Sequence, residues 1–398
     1  MLYKQFKDLS LSGLGFGTMR LPLLEGGGPG DIDQAQVEQM TDYALAHGVN
    51  YFDTALPYHA GRSEASIGRA LARYPRESFY LADKFPGHQV VKGAPISLEE
   101  TFPRQLQNCG VDYFDFYLLH NVNEHSFAYY TDKSVGCVDY FLEQKKLGRI
   151  RHLGFSSHNA PENLERFLDI YGDVMEFCQI QLNYLDWSLQ DAEKKCALLK
   201  SRGIPIWVME PLRGGRLARL DEPAAETLRA LRPDESPAAW GLRWLQTVPE
   251  VTVVLSGMSS LSQMEDNIRT FSDERPLSEK ETAALYGVAA GLRSFIPCTG
   301  CRYCCAGCPQ GLDIPLLMSL CNDSRVSGSI NIVMRYGALG EKNAEACIAC
   351  GKCKGACPQK IDVPAAMKEL AAHVSAQKSW EETCRERAAA SAREQAKK

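Results

Sequence analysis

Through the first 275 residues, short apolar runs alternate with stretches whose apolar residues recur at helical spacing. The runs are LGFGTM (14–19), YFDTA (51–55), FYLADK (79–84), FDFYLLH (114–120), IRHLGFS (150–156), FCQIQLN (177–183), IPIWVME (204–210) and VTVVLSG (251–257). Amphipathic patterns lie near 34–47, 63–73, 97–108, 134–146, 161–170, 190–201, 237–246 and 260–270. Runs rich in β-branched and aromatic residues, alternating with helices, predict parallel βαβ units. Eight of each in strict alternation over this length predict an α/β fold of the closed (β/α)8, or TIM, barrel type. The alternative, an open doubly wound sheet, is disfavoured because the first strand lacks a GxGxxG run before its helix. The opening KQFKDLSLS reads as a short hairpin capping the barrel bottom, and residues 276–296 as a further helix leading out. GGGPG at 26–30 reads as a mobile loop over the barrel mouth, since no strand, glycine loop and helix with Lys follow one another there.

A chain of 398 residues is long for one core and asks for a second unit. Its net charge of −5 gives no basic field for nucleic acid or anionic lipid, so neither is expected as a partner. The N-terminus MLYKQFKDLS has charges where a signal peptide needs an apolar run, and no stretch approaches membrane-spanning length. A cytoplasmic protein is expected. Cysteine placement sharpens this. Of fifteen, Cys109, Cys137, Cys178 and Cys196 are scattered, ten crowd into 298–357, and Cys384 stands in the tail. Clustered thiols in a long chain without a secretion signal point to metal rather than disulfides.

Two of these clusters have the spacing CxxCxxCxxxCP: Cys298, Cys301, Cys304, Cys308 with Pro309, and Cys347, Cys350, Cys353, Cys357 with Pro358. Three thiolates two residues apart can wrap one cubane from a single tight loop, while the fourth, before Pro, departs to the other cluster. Two [4Fe–4S] clusters are therefore expected. One is held by Cys298, Cys301, Cys304 and Cys357, the other by Cys347, Cys350, Cys353 and Cys308. Structural zinc, the alternative, usually pairs two CxxC knuckles and has no use for the third cysteine or the Pro. Cys305 and Cys321 are left over; only Cys304 keeps the spacing. LDIPLLMSLC (312–321) and IDVPAAMKELAAHV (361–374) read as helices with Pro near the start. The 38 residues between the runs are long for a minimal ferredoxin, and the whole resembles the α-helical ferredoxin domains attached to larger anaerobic oxidoreductases. The expected organisation is a barrel over 1–275, a connecting helix over 276–296, a small, mainly α-helical ferredoxin-like domain over 297–374 and a charged tail over 375–398.

Asp53 in FDTA, Tyr58, Lys84 and His120 in LLH fall at or just past the ends of the second, third and fourth strands. Barrel active sites are built at those C-terminal ends. On these four residues, in this order, residues 4–275 resemble the aldo–keto reductase family. The resemblance implies carbonyl reduction by hydride from NADP(H) or NAD(H). A phenol with pKa about 10 is a poor acid at neutral pH. Lys84 is expected to lower it, with Asp53 holding Lys84 in place. Tyr58 is then the general acid/base, and His120 orients the carbonyl oxygen. The resemblance also places Ser156 and Ser157 of GFSSHN, with Gln181 of QIQLNY, on the nicotinamide amide, although the family commonly has Ser–Asn. It places Pro211, Leu212, Gly214, Gly215 and Arg216 on the pyrophosphate, and Gly257, Gln263 and Asn267 in the adenosine-binding segment. Two residues depart from the pattern. Met209 stands where an aromatic ring usually stacks on nicotinamide, and SGMSSLSQMEDN (256–267) lacks the Lys and Arg that often meet a 2′-phosphate. The choice between NADPH and NADH stays open.

Nicotinamide moves two electrons as hydride, whereas a cluster carries one, so a flavin normally stands between them. Three readings follow. The barrel is a nicotinamide-dependent reductase, with clusters that transfer electrons or serve structure or sensing. Alternatively it holds FMN, with its phosphate at the strand 7–8 site, and exchanges electrons between substrate and clusters. The third reading is a ligand or redox sensor or an electron-transfer subunit with vestigial turnover, against which the intact tetrad argues. Expected partners are a small carbonyl or quinone-like substrate and an electron carrier of the ferredoxin or flavodoxin type. Selectivity belongs to the mouth loops Leu23–Gly30, His88–Pro95 and Asn121–Lys133. The last of these is aromatic-rich and is expected to line the pocket, its rings serving either ligand stacking or loop packing.

Overall fold

The eight apolar runs are the staves of a closed parallel barrel. In the computed structural model they are β3 (Leu14–Gly17), β4 (Tyr51–Asp53), β5 (Tyr80–Phe85), β6 (Phe114–Val122), β7 (Ile150–Ser157), β8 (Cys178–Gln181), β9 (Ile206–Met209) and β10 (Val251–Ser256), following the hairpin β1 (Tyr3–Phe6) and β2 (Leu9–Ser12). Neighbouring staves follow chain order, and β10 closes the ring on β3. The structure describes residues 1–28, 30–92, 96–123, 126–292, 295–326 and 330–377. Parts of the three mouth loops, Cys384 and most of the expected tail therefore lie outside the described residues.

Every residue of β6 and β10 is buried, because the sheet is covered by helices on one side and filled by side chains on the other. The helices begin where the chain supplies caps. Asp33, Ser97, Ser236 and Ser260 each accept a first-turn backbone N–H, and such a cap contributes about 1 kcal/mol. Helices Ser63–Leu71 and Leu98–Cys109 approach so closely at Gly68 that a Cβ there would stand 2.5 Å from the Cys109 carbonyl oxygen.

The hairpin β1–β2 seals the barrel floor. Phe6 and Leu11 are buried in one apolar cluster with Tyr51, Phe116, Phe177, Trp207 and Val253. Phe6 meets Trp207 edge-on at 5.1 Å between ring centroids. The helix expected over 276–296 runs Glu279–Leu292 and lies against the barrel. Arg232 holds Glu281 with two hydrogen bonds, and Trp244 donates to Tyr286. The connecting helix therefore groups with the barrel in the first compact unit, and the second unit begins near the expected 297.

In the second unit, the two Pro-initiated segments form helices Ile314–Val326 and Val363–Ser375. Leu317, Met318, Leu320 and Cys321 are buried with Ala366, Met367 and Leu370, and Arg325 clasps Glu369 at 2.6 Å. A further helix, Ile330–Gly337, fills part of the long interval between the cysteine runs. Among the described residues this unit has no strand, and no helix of either unit is long and apolar enough to cross a membrane.

Candidate active site and thiol recesses

Strand register builds the barrel site. Asp53 stands opposite Ala82, so Lys84, two residues on, projects to the same side. Lys84 stands opposite Leu118, and His120 is again two residues on. The three polar groups thus climb the inner wall at the C-terminal end. Lys84 is fully buried, and its Nζ donates to Asp53 Oδ1 at 2.5 Å, to the Thr54 carbonyl at 2.7 Å and to Tyr58 Oη at 3.4 Å. Tyr58 opens a tight turn in which His59 and Ala60 have φ of 49° and 55°. This left-handed backbone costs energy in non-glycine residues. His59 Nε2 accepts the Leu21 N–H at 3.0 Å and so ties the strained turn to the loop after β3. His120 lies edge-on to Tyr58, with centroids 5.9 Å apart, and to His88 at 4.6 Å.

The electrostatics differ from expectation at Tyr58. Burial raises its phenol pKa well above 10, and the charges of Asp53 and then Glu210 raise it further. The expected lowering by Lys84 does not prevail, because that ammonium is engaged by Asp53 and the Thr54 carbonyl. Tyr58 therefore keeps its proton. Burial and the neighbouring His88 hold His120 well below its usual pKa, so its imidazole is neutral near pH 7. The aromatic loop after His120 serves packing at Tyr130: its buried phenol donates to the carbonyls of His120 and Phe85.

The cofactor residues expected from the sequence sit at this mouth, and several face protein. Ser156 Oγ accepts the Asn121 N–H at 2.8 Å, and Ser157 Oγ donates to the Val122 carbonyl at 2.9 Å. Gln181 contacts His158 Nδ1 at 3.2 Å and donates to Asp186 at 2.7 Å. Gln263 accepts the Ser259 N–H, and Asn267 donates to Ser256 Oγ. Gly214 and Gly215 have φ of 65° and 88° in the turn Arg213–Ala218 that carries Arg216, just after half-buried Met209, buried Pro211 and half-buried Leu212. Arg213 anchors that turn through a fully buried ion pair with Asp186 at 2.6 Å.

Four residues not foreseen from the sequence stand here. The Oδ1 atoms of Asn121 and Asn159 are buried with no hydrogen-bond partner among the described residues. An unmet buried acceptor costs about 1–3 kcal/mol. Both asparagines flank Val122, beside Ser156 and Ser157, and a carboxamide NH2 is the kind of donor they lack. The site fits a nicotinamide amide on that count. Glu210, at φ 55°, lies 3.6 Å from Arg20, whose side chain covers Gly257. The spacing motifs give no sign of either pair; the Asn two places after Ser157 is the nearest thing to a signal.

In the second unit, Cys308, Cys347, Cys350 and Cys353 line one recess. Cys298, Cys301, Cys304 and Cys357 line another. Each takes three thiols from one run and the fourth from the other. Among the described residues no three His, Cys, Asp or Glu side chains converge on a single-ion position. Four thiols spread around a recess suit a larger, polynuclear body, so the donor set fits iron–sulfur better than zinc. Cys305 and Cys321 line neither recess; Cys321 belongs to the apolar core and half-buried Cys305 packs against it.

A closed parallel barrel with ionisable groups gathered at its C-terminal rim is the architecture of a barrel enzyme. Residues 13–290 match the aldo/keto reductase family, and residues 297–362 match a 4Fe-4S dicluster domain. The chain belongs to the aldo/keto reductase family of oxidoreductases, with a ferredoxin-type unit at its C-terminal end. It is 30% identical over 268 residues to an aldo-keto reductase from Mycolicibacterium vanbaalenii, covering 67% of this chain and 88% of that protein. It is 26% identical over 305 residues to the NADH-specific methylglyoxal reductase of Escherichia coli, covering 66% and 90%. The apo form of an aldo-keto reductase from Bacillus halodurans superposes with a TM-score of 0.55 at 25% identity, covering 72% of this chain and 96% of that one.

Proposed function

We propose that this chain reduces a small carbonyl compound with NADH or NADPH, with two [4Fe–4S] clusters in its C-terminal unit for one-electron exchange with a carrier protein. The observation that carries this reading is the contact chain Asp53–Lys84–Tyr58 beside a neutral His120. Bound nicotinamide would supply the hydride; Asn121, Asn159 and Ser156 would hold its carboxamide end, and the glycine turn after β9 its phosphates. The chain's own residues do the rest. His120 donates a hydrogen bond to the carbonyl oxygen and orients it. As that oxygen gains negative charge, Tyr58 passes its phenol proton to it, and the Lys84 ammonium stabilises the phenolate left behind. Asp53 positions Lys84. The carbonyl carbon gains hydride and the oxygen a proton, which closes the two-electron reduction.

The Escherichia coli relative's name makes NADH with methylglyoxal the first pair to try. Tyr58→Phe is expected to remove turnover by about 100-fold or more while NADH still quenches protein fluorescence on binding. Unchanged turnover would discard the phenol's role. One observation favours a flavin instead: Met209 in place of a ring that would cover nicotinamide. Denaturing the anaerobically purified protein and finding released absorbance near about 450 nm would establish that reading.

A further inference from the structure

We propose that the face around Cys350 and Ile348 is the docking surface for a small acidic one-electron carrier protein, which makes the recess of Cys308, Cys347, Cys350 and Cys353 the point of electron exchange. The proposal rests on the iron–sulfur reading of the second unit.

The two thiol recesses differ in what they show to solvent. Cys350 is the one exposed cysteine among those described. Ile348 beside it is 59% exposed, the only large apolar side chain of this unit so exposed among the described residues. Both line the same recess, together with exposed Ala349, Pro309 and Lys352. The other recess has no exposed thiol: Cys304 is buried, and Cys298, Cys301 and Cys357 are half-buried. Its exposed charge, Arg302, is neutralised by Asp313 at 3.1 Å.

Within the segment that holds Cys350 the charges have one sign, with Glu345 and Asp362 at its two ends. From Ala346 to Ile361 the chain carries Lys352, Lys354 and Lys360, all exposed, and no Asp or Glu. Lys354 reaches Asp362 at 3.1 Å, whereas among the described residues no carboxylate lies within ion-pair distance of Lys352. This local excess stands against a net charge of −5 for the chain. An exposed apolar centre with a charged rim is the anatomy of a transient interface, and rim charge sets encounter rate and partner choice. Interfaces of redox encounters are small, below about 1,200 Å2, so a local patch rather than a whole face is what such a partner needs. A basic rim selects an acidic partner. Docking there brings the carrier's redox group to the most exposed thiol; one electron passes, the carrier losing what the chain gains, with no bond made or broken.

The test uses the full-length, anaerobically purified, iron-loaded protein and an acidic flavodoxin, with Kd measured at about 20 mM and about 300 mM salt. Lys352→Glu combined with Lys360→Glu is expected to weaken binding about tenfold or more at low salt, and the difference should shrink at high salt. Ile348→Asp should weaken binding at both. Lys146→Glu, on the barrel, should change nothing. None of these variants removes a thiol, so iron content is measured alongside. Iron-loaded protein that binds flavodoxin equally well with and without the charge reversal overturns the surface and leaves the cluster reading standing. Wild type that takes up no iron overturns both. If Ile348→Asp instead dissolves a homodimer and leaves flavodoxin affinity unchanged, the patch joins two copies of this chain and the proposal fails.

Discussion

Burial does most to raise the Tyr58 pKa; of the charges around it, Asp53, Glu210 and Asp83 raise it further and Arg20, the ion-pair partner of Glu210, lowers it. A group acting as an acid loses function as pH rises through its pKa. Glu210→Gln removes a charge that opposes phenolate, so the alkaline limb of the kcat/KM profile should move to lower pH. Arg20→Met should move it to higher pH. Shifts in the same direction, or none, would show that neither charge reaches the phenol. The placement of Asp53, Lys84 and His120 was legible because each lies toward the C-terminal end of a strand marked by its apolar run, whereas Tyr58, in the turn beyond β4, was picked out only by resemblance to the family. Asn121 and Asn159 were not legible, since an acceptor becomes an orphan only when packing from distant segments removes its water. Glu210 was hidden in the same way: its carboxylate matters through Arg20, 190 positions earlier in the chain. The expected lowering of the Tyr58 pKa failed because burial outweighed a lysine charge already engaged by Asp53.

Among the elements, the eight staves and their helices were legible because a strand covered on both sides must be apolar throughout, and nothing short-range contradicts it. Short helices were missed. Phe127–Thr131, Glu222–Arg229 and Ile330–Gly337 are at most eight residues long, too short for helical periodicity to separate from a loop. The contact at Gly68 tests how tightly helices Ser63–Leu71 and Leu98–Cys109 are joined. A methyl group there meets main chain that cannot rotate away. Gly68→Ala should destabilise the protein by about 1–3 kcal/mol, read as a lower urea midpoint at unchanged slope. A midpoint equal to wild type would mean that the two helices separate at little cost. In the second unit, Cys350→Ala should leave about four irons of about eight, because the recess of Cys298, Cys301, Cys304 and Cys357 keeps its full thiol set. Retention of all the iron would refute the assignment of Cys350.

For the molecule as a whole, the division into a barrel and an iron–sulfur unit was written in local spacing, since three thiols in one loop need no distant partner to be recognised. The helix expected over 276–296 was legible, but not that it packs on the barrel, because the destination of its apolar face is invisible in sequence. The sealed floor has a consequence for traffic. Among the described residues Phe6 and Leu11 stop one end of the barrel, so a molecule bound at the opposite rim enters and leaves from that side. A molecule seated deep there cannot depart past one lodged above it. The order of arrival therefore dictates the order of release, and an excess of the outer occupant should trap the inner one rather than displace it.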